Sequence, residues 1–199
     1  MHVHTGTGAA SSERVLSFLQ HCAGRIRELA PAPPAAVGAR AFVDALRNAR
    51  PIEVTPRWLP VLDTIGELEA TPLGHRFGEV ARLLAWQPTF RTDDGGTRIA
   101  LAPMEHVVDL GGLTVGLLYV AAGRTYPLHS HPPHELYLTI SGTARWRYGG
   151  STEYRSVEAG CVIHNHPNDL HATVAGGTPL VALYVLWDEP TATHTAAQP

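Results

Sequence analysis

The sequence has no lysine: all 15 of its basic residues are arginine, and they form no cluster. Set against 18 acidic residues, they leave a formal net charge of only -3. That balance excludes the basic faces that grip nucleic acid or an anionic membrane surface, so neither partner is expected. Cysteine is nearly missing as well. Cys22 and Cys161 lie far apart, each in an apolar segment, which excludes a disulfide framework and leaves both expected as small core residues. No apolar run approaches the roughly 18 residues of a membrane-spanning helix. The opening M-H-V-H-T-G-T-G-A-A-S-S lacks the cationic start and apolar core of a signal peptide, so a cytoplasmic enzyme or binding protein is expected. Charge is sparse, 17% against 44% hydrophobic, and 199 residues suffice for one domain with a buried core.

What is present falls into two textures. Residues 12–29 carry Val15, Phe18, Leu19, Cys22, Ile26 and Leu29 at three- and four-residue intervals, one face of a helix with Ser12 as its expected N-cap. The A-P-A-P-P run at 30–34 ends it, because proline lacks an amide donor and restricts the residue before it. A second helix is expected over 35–49, burying Phe42 and Leu46. A third, over 55–70, would start at Thr55-Pro56 and bury Trp58, Leu62, Ile65 and Leu68; a fourth, over 75–85, carries Phe77, Val80, Leu83 and Leu84. Trp58 and Trp86 are expected to anchor this half on the rest. Beyond W-Q-P-T-F (86–90) and the turn D-D-G-G (93–96) come short apolar segments with glycine turns between many of them. They span 98–102, 105–110, 113–120, 136–140, 144–148, 156–157, 161–163, 171–174 and 180–187. Short strands punctuated in this way predict an antiparallel barrel or sandwich of jelly-roll type. The expected fold is mainly β, with an α-helical N-terminal extension over 1–87 packed on a barrel over 88–190 as one structural unit. The small, polar ends, with His2, His4 and His194, are expected to fray.

The densest chemistry lies at 123–142, G-R-T-Y-P-L-H-S-H-P-P-H-E-L-Y-L-T-I-S-G. His129, His131, Glu135 and Tyr137 all bear odd numbers, so in extended chain they share a face and can point into one cavity. His134 then points the other way and is expected to be exposed. Imidazole with carboxylate suits Fe, Mn, Ni, Co or Zn, and the lack of cysteine in the run argues against a thiolate site. One divalent transition metal ion per chain, its identity open, is the expected cofactor.

The spacing is glycine, five residues, His129, one residue, His131, three residues, Glu135, six residues, glycine. It resembles the first conserved motif of the cupin superfamily at every defined position. Residues 160–175, G-C-V-I-H-N-H-P-N-D-L-H-A-T-V-A, resemble the second motif in part: His166 stands at a usual proline, Asn168 at a glycine and Ala175 at an asparagine. Asparagine tolerates positive φ, so the turn survives that glycine replacement. His171 falls at the histidine that supplies the last ligand. Motif register ranks it above His164 and His166, which stay open as contributors. The resemblance implies a cupin barrel with His129, His131, Glu135 and His171 as metal ligands.

The span of about 55–188 is further similar to the dimethylsulfoniopropionate (DMSP) lyase cupins. A helical half leads through W-Q-P-T-F to the metal strand, Tyr126 stands three residues before His129, Tyr137 two after Glu135, and Trp187 closes the last strand. That likeness implies a metal-dependent carbon–sulfur lyase forming dimethyl sulfide and acrylate by β-elimination. It implies Tyr137 as base or metal contact, and Tyr126 as its assistant or replacement, also touching substrate. Trp187 would offer the sulfonium a cation–π face. Tyr184 and His106 carry no motif and are read as structural. Other readings remain open on the same ligands: an iron dioxygenase, an isomerase, a lyase-like cupin for another small acid, or a ligand-binding cupin without turnover. A small-molecule substrate is the expected partner, and a homodimer is left open.

Overall fold

The apolar stripe of the first helix is realised in α1 (Gly6–Leu29), where Val15, Phe18, Leu19, Cys22 and Ile26 are buried and Leu29 is exposed at the end. The protein is seen here as a computed structural model that describes residues 6–30, 32–67, 71–89 and 98–188. Ser12 is not the cap of α1. It lies within the helix, buried, and its Oγ donates to Ile52 O at 2.8 Å. Helix α2 (Ala35–Arg47) buries Phe42 and Leu46 as expected. Between 55 and 67 the expected α-helix is replaced by a 3-10 helix over Pro60–Glu67. Pro60 explains this: it removes an amide and disfavours helical backbone at Leu59, so a helix begun at Pro56 cannot close its second turn. Helix α3 (Pro72–Val80) starts earlier than expected, because Thr71 caps it. Thr71 Oγ1 accepts from the Gly74 amide at 2.9 Å and donates to Ile140 O at 3.0 Å. Leu68, Phe90, the turn at 93–96 and His2, His4 and His194 lie outside the described residues.

Among the described residues, twelve strands follow or flank these helices. They are β1 (Arg50–Pro51), β2 (Gln87–Pro88), β3 (Ile99–Pro103), β4 (Val108–Asp109), β5 (Thr114–Val120) and β6 (Thr125–His129). The series continues with β7 (His134–Ser141), β8 (Ala144–Arg147), β9 (Arg155–Val157), β10 (Val162–Asn165), β11 (His171–Ala175) and β12 (Leu180–Trp187). The expected strand over 105–110 is instead a 3-10 turn, Met104–His106, and the two-residue β4. A six-stranded sheet has the order β10-β7-β12-β5-β3-β2, a four-stranded sheet the order β6-β11-β8-β9, and β1 pairs with β4. Ile99, Leu118, Val120, Tyr137 and Ile163 of the large sheet share one core with Tyr126, Ala144, Trp146 and Val157 of the small one. That shared core makes the pair a jelly roll. Fold class is therefore mainly β with helices at the N-terminal end.

Alternate residues of β5, β7 and β12 face away from this interior and meet the helices. Leu117, Tyr119, Leu136, Leu138, Val181 and Val185 form a second core with Phe18, Ile26, Phe42, Phe77 and Trp86. Coverage on both faces is why these strands read as almost unbroken apolar runs, and each buried Leu or Phe contributes about 1.5–3 kcal/mol. Trp86 is fully buried, its Nε1 donating to Ala81 O at 2.8 Å, whereas Trp58 is half-buried under the Arg82 guanidinium, 4.2 Å from its ring. Cys22 sits in the core as expected, but Cys161 is exposed at the head of β10. Among the described residues no helix is long and apolar enough to cross a membrane.

One glycine sets how closely α2 approaches the sheet. A Cβ on Gly38 would come within 2.6–2.8 Å of the Trp187 ring, contact with the rigid body of the indole. Gly38→Ala is expected to destabilise the protein by about 1–3 kcal/mol, the usual cost of overpacking. Urea denaturation measures this, and a midpoint equal to that of the parent would show that the helix simply shifts.

Candidate metal centre

Strands β6 and β7 belong to opposite sheets, and the four-residue turn 130–133 carries the chain from one to the other. His129 ends β6, His131 sits in the turn, and Glu135 is the second residue of β7. The stretch is thus strand, turn, strand rather than one extended run, and the crossing sets donors from both sheets face to face. His171, the first residue of β11, is the cross-strand partner of His129. Ring nitrogens of His129, His131 and His171 all lie within 4.8 Å of one another. Glu135 Oε2 stands 3.3 Å from His131 Nε2 and 3.1 Å from His171 Nε2. Three imidazoles thus converge, and Glu135 Oε2 lies beside two of them, His131 and His171.

Each imidazole is anchored from behind. His129 Nδ1 meets Pro127 O at 2.7 Å, His131 Nδ1 meets Pro133 O at 3.1 Å and His171 Nδ1 meets Asp169 O at 2.8 Å. A carbonyl only accepts, so the hydrogen sits on Nδ1, and in the neutral ring Nε2 presents a lone pair. Two such lone pairs face one oxygen of a carboxylate, an arrangement that repels unless the rings are protonated or a cation lies among them. The separations of 3.1 and 3.3 Å match the ~3.0–3.4 Å between neighbouring ligands that are each about 2.1 Å from one octahedral or tetrahedral ion. Backbone-anchored Nδ1–H groups are also the usual outer support of metal-binding histidines. The donor set fits a divalent transition ion.

Burial alone would raise the Glu135 carboxyl, but with His131 and His171 protonated their hydrogen bonds and positive charge outweigh it and bring it down to about 2. Its carboxylate is ionised at neutral pH. Asn165, absent from the motif reading, holds it: Nδ2 donates to Glu135 Oε2 at 3.2 Å while Oδ1 accepts from the Gly149 amide at 3.1 Å. Asn165 pairs with Glu135 across β10 and β7, a relation that only strand register reveals.

Three tyrosines border these donors. Tyr137, two residues along β7, donates to Glu135 and lies 6.4 Å, ring to ring, from His171. Burial first, then the Glu135 charge, raises its phenol well above the ordinary range. Tyr126 packs 4.6 Å from the His129 ring. An even-numbered residue should face away from His129, but the ladder slips between His171 and Thr173, so that Tyr126 pairs with Thr173 and His129 with His171. Tyr184 pairs with Tyr137 across β12 and β7 and with Gly116 across β12 and β5. A Cβ on Gly116 would collide with the Tyr184 hydroxyl, so that glycine makes room for it.

Residues 99–182 match the family model of dimethylsulfoniopropionate lyase. Within that span the chain is similar to the DMSP lyases. It is 28% identical to the dimethylsulfoniopropionate lyase DddQ of Ruegeria pomeroyi over 173 residues, 77% of this chain and 81% of that protein. A chain from the crystal structures of the DMSP lyases RdDddP and RnDddQII superposes with a TM-score of 0.71 at 22% identity, over 88% of this chain and 93% of that one. The crystal structure of DddQ from Ruegeria pomeroyi gives 0.67 at 22% identity with the same coverage. Coverage of 88% exceeds the barrel alone, so the helical half is part of the shared fold.

Two other expectations change in the structure. His134 is 2% exposed, not a solvent-facing strand residue, because the outer face of β7 is covered. Trp187, expected against the substrate, pairs with His134 and therefore lies on the face opposite Glu135, stacked on the His134 ring at 5.0 Å. His164 and His166 also sit on that outer face, within 4.8 Å of His134 and apart from the interior donors. Asn168 adopts φ of 63°, so the left-handed turn expected at the missing glycine is made by asparagine.

Proposed function

We propose that the protein is a metal-dependent lyase that cleaves DMSP to dimethyl sulfide and acrylate. The observation that carries the reading is the setting of Tyr126 and Tyr137 beside the His129, His131, His171 and Glu135 donors between the two sheets of the barrel. DMSP joins a carboxylate to a sulfonium. A base takes a proton from the carbon beside the carboxylate, that electron pair forms the new double bond, and the far carbon–sulfur bond breaks with its pair leaving on dimethyl sulfide. A divalent ion held by the three Nε2 atoms and Glu135 would supply Lewis acidity for the carboxylate and for the enolate-like charge that develops on it.

The protein's own residues do the rest. Tyr137 is the base in this proposal, with Tyr126 beside it to share the proton. Left to its protein neighbours Tyr137 stays a neutral phenol, so ionisation needs positive charge at the donor cluster to offset Glu135. Trp187 faces α2, which leaves cation–π contact with the sulfonium to the interior rings of Tyr126 and Tyr184, worth about 0.5–2 kcal/mol. Trp146 Nε1 and Thr173 Oγ1 are buried without a protein hydrogen-bond partner and give donors for a substrate carboxylate.

Gas chromatography of dimethyl sulfide tests this directly. Protein reconstituted separately with Fe(II), Mn(II), Zn(II), Ni(II) or Co(II) is expected to release it saturably from DMSP, and His131→Ala protein is not. Silence with every metal, from protein shown to hold one, would remove DMSP as the substrate.

A further inference from the structure

We propose that His134, His164 and His166 form a second divalent-metal site, on the outer face of the barrel and separate from the interior donors. Strand pairing creates it. His164 pairs with Leu136 and Asn165 with Glu135, so the next step brings His166 beside His134, and all three rings emerge on the face opposite Glu135. A nitrogen from each lies within 4.8 Å of the others. His134 Nδ1 and His164 Nε2 are 3.2 Å apart, close to the ~3.3 Å edge of a tetrahedron with zinc–nitrogen bonds of about 2.0 Å.

Two of the three rings are already held in place. His134, His164 and Trp187 pack as a mutual trio of nearly parallel rings, at 5.0 Å (His134–Trp187), 5.3 Å (His134–His164) and 5.6 Å (His164–Trp187); Trp187 is itself seated on Gly38. The third, His166, is exposed and 4.6 Å from the His164 ring, which leaves an entrance from solvent and open positions for water. A purely structural stack would account for the His134–His164 contact but not for a third imidazole turned to the same point. Three nitrogens without a thiolate or carboxylate suit Zn, Ni, Co or Cu over Mg or Ca.

An ion there would brace the loop that enters the interior site. The His166 amide donates to Asp169 Oδ2 at 3.0 Å, and the carbonyl of the same Asp169 accepts from His171 Nδ1 at 2.8 Å. Outer-site occupancy therefore stiffens the segment that orients an interior donor.

The deciding measurement is equilibrium dialysis of the full chain against Zn(II), with bound metal counted by plasma mass spectrometry. In the His131→Ala background one equivalent is expected to remain, and adding His166→Ala should weaken it at least tenfold. His166 is exposed, so its loss spares the fold, which circular dichroism checks. Ni(II) should quench tryptophan fluorescence in the single variant, through Trp187, and not in the double one. Equal zinc binding by the two variants, or none by His131→Ala, overturns the proposal. No DMSP enters this test, so its outcome is independent of the lyase reading.

Discussion

His171→Ala is expected to give a folded protein that has lost interior metal and lyase turnover together. His171 is 2% exposed at the first position of β11, opposite His129, and its Nε2 is 3.1 Å from Glu135. Truncation removes a donor and also one of the two rings that keep the Glu135 carboxylate ionised. Interior affinity should fall by more than the 10–100-fold that loss of a mere outer-shell partner costs, so roughly 100-fold is a floor. Lewis-acid stabilisation of several kcal/mol, at ~1.4 kcal/mol per factor of ten, corresponds to a turnover loss of about three decades or more. Metal content after gel filtration and dimethyl sulfide release are read on the same preparation, with circular dichroism as the check on folding. Retained metal with turnover within tenfold of the parent would take His171 out of the ligand set.

The site was legible where the chemistry is local in sequence and illegible where it depends on register. The spacing of His129, His131 and Glu135 places a strand end, a turn and a strand start, and the barrel converts that spacing into one cluster. Odd-number parity named the same residues, yet His131 is not on a strand at all, and Tyr126 joins despite its even number because the ladder slips. Asn165 and Tyr184 reach the cluster through pairings with Glu135 and Tyr137 that span 30 and 47 residues of chain. No pattern within one segment encodes those. Trp187 shows the converse: its position at the end of β12 was evident, but a single residue's difference in face decides between substrate and helix α2.

For the fold, element types were easier to read than their limits and exposures. The 3.6-residue stripe of α1 and the glycine-punctuated strands are both realised, since each rests on burial along one face. The misreadings have specific causes. Thr55-Pro56 looked like a helix start, but Pro60 overrides it, and the true cap is Thr71 with Pro72, where the chain after the cap holds no further proline. His134 looked exposed because alternation says which residues share a face and not whether that face is covered. The helices were expected on the barrel, but which strands they roof is a tertiary fact, and α2 against β12 together with α3 against β7 settles it.

Tyr137→Phe separates the reaction from the metal centre. The variant keeps the ring that packs on Trp146 at 4.9 Å and removes only the hydroxyl that donates to Glu135, so the fold and the four donors should persist. Metal content is therefore expected to stay near that of the parent while turnover falls by about 10²–10⁴, the usual contribution of a positioned general base. The pH profile supplies a second sign. Burial and Glu135 push the Tyr137 phenol up, and in the proposed mechanism the deprotonated phenol is the working form, so the parent rate should climb as pH rises. In the variant that limb should flatten, because the group that titrates is gone. Should Tyr137→Phe keep the full rate and the rising limb while Tyr126→Phe loses both, the base is Tyr126. The Glu135-bound hydroxyl would then be left with orienting the carboxylate, the part that Asn165 already plays from the other side.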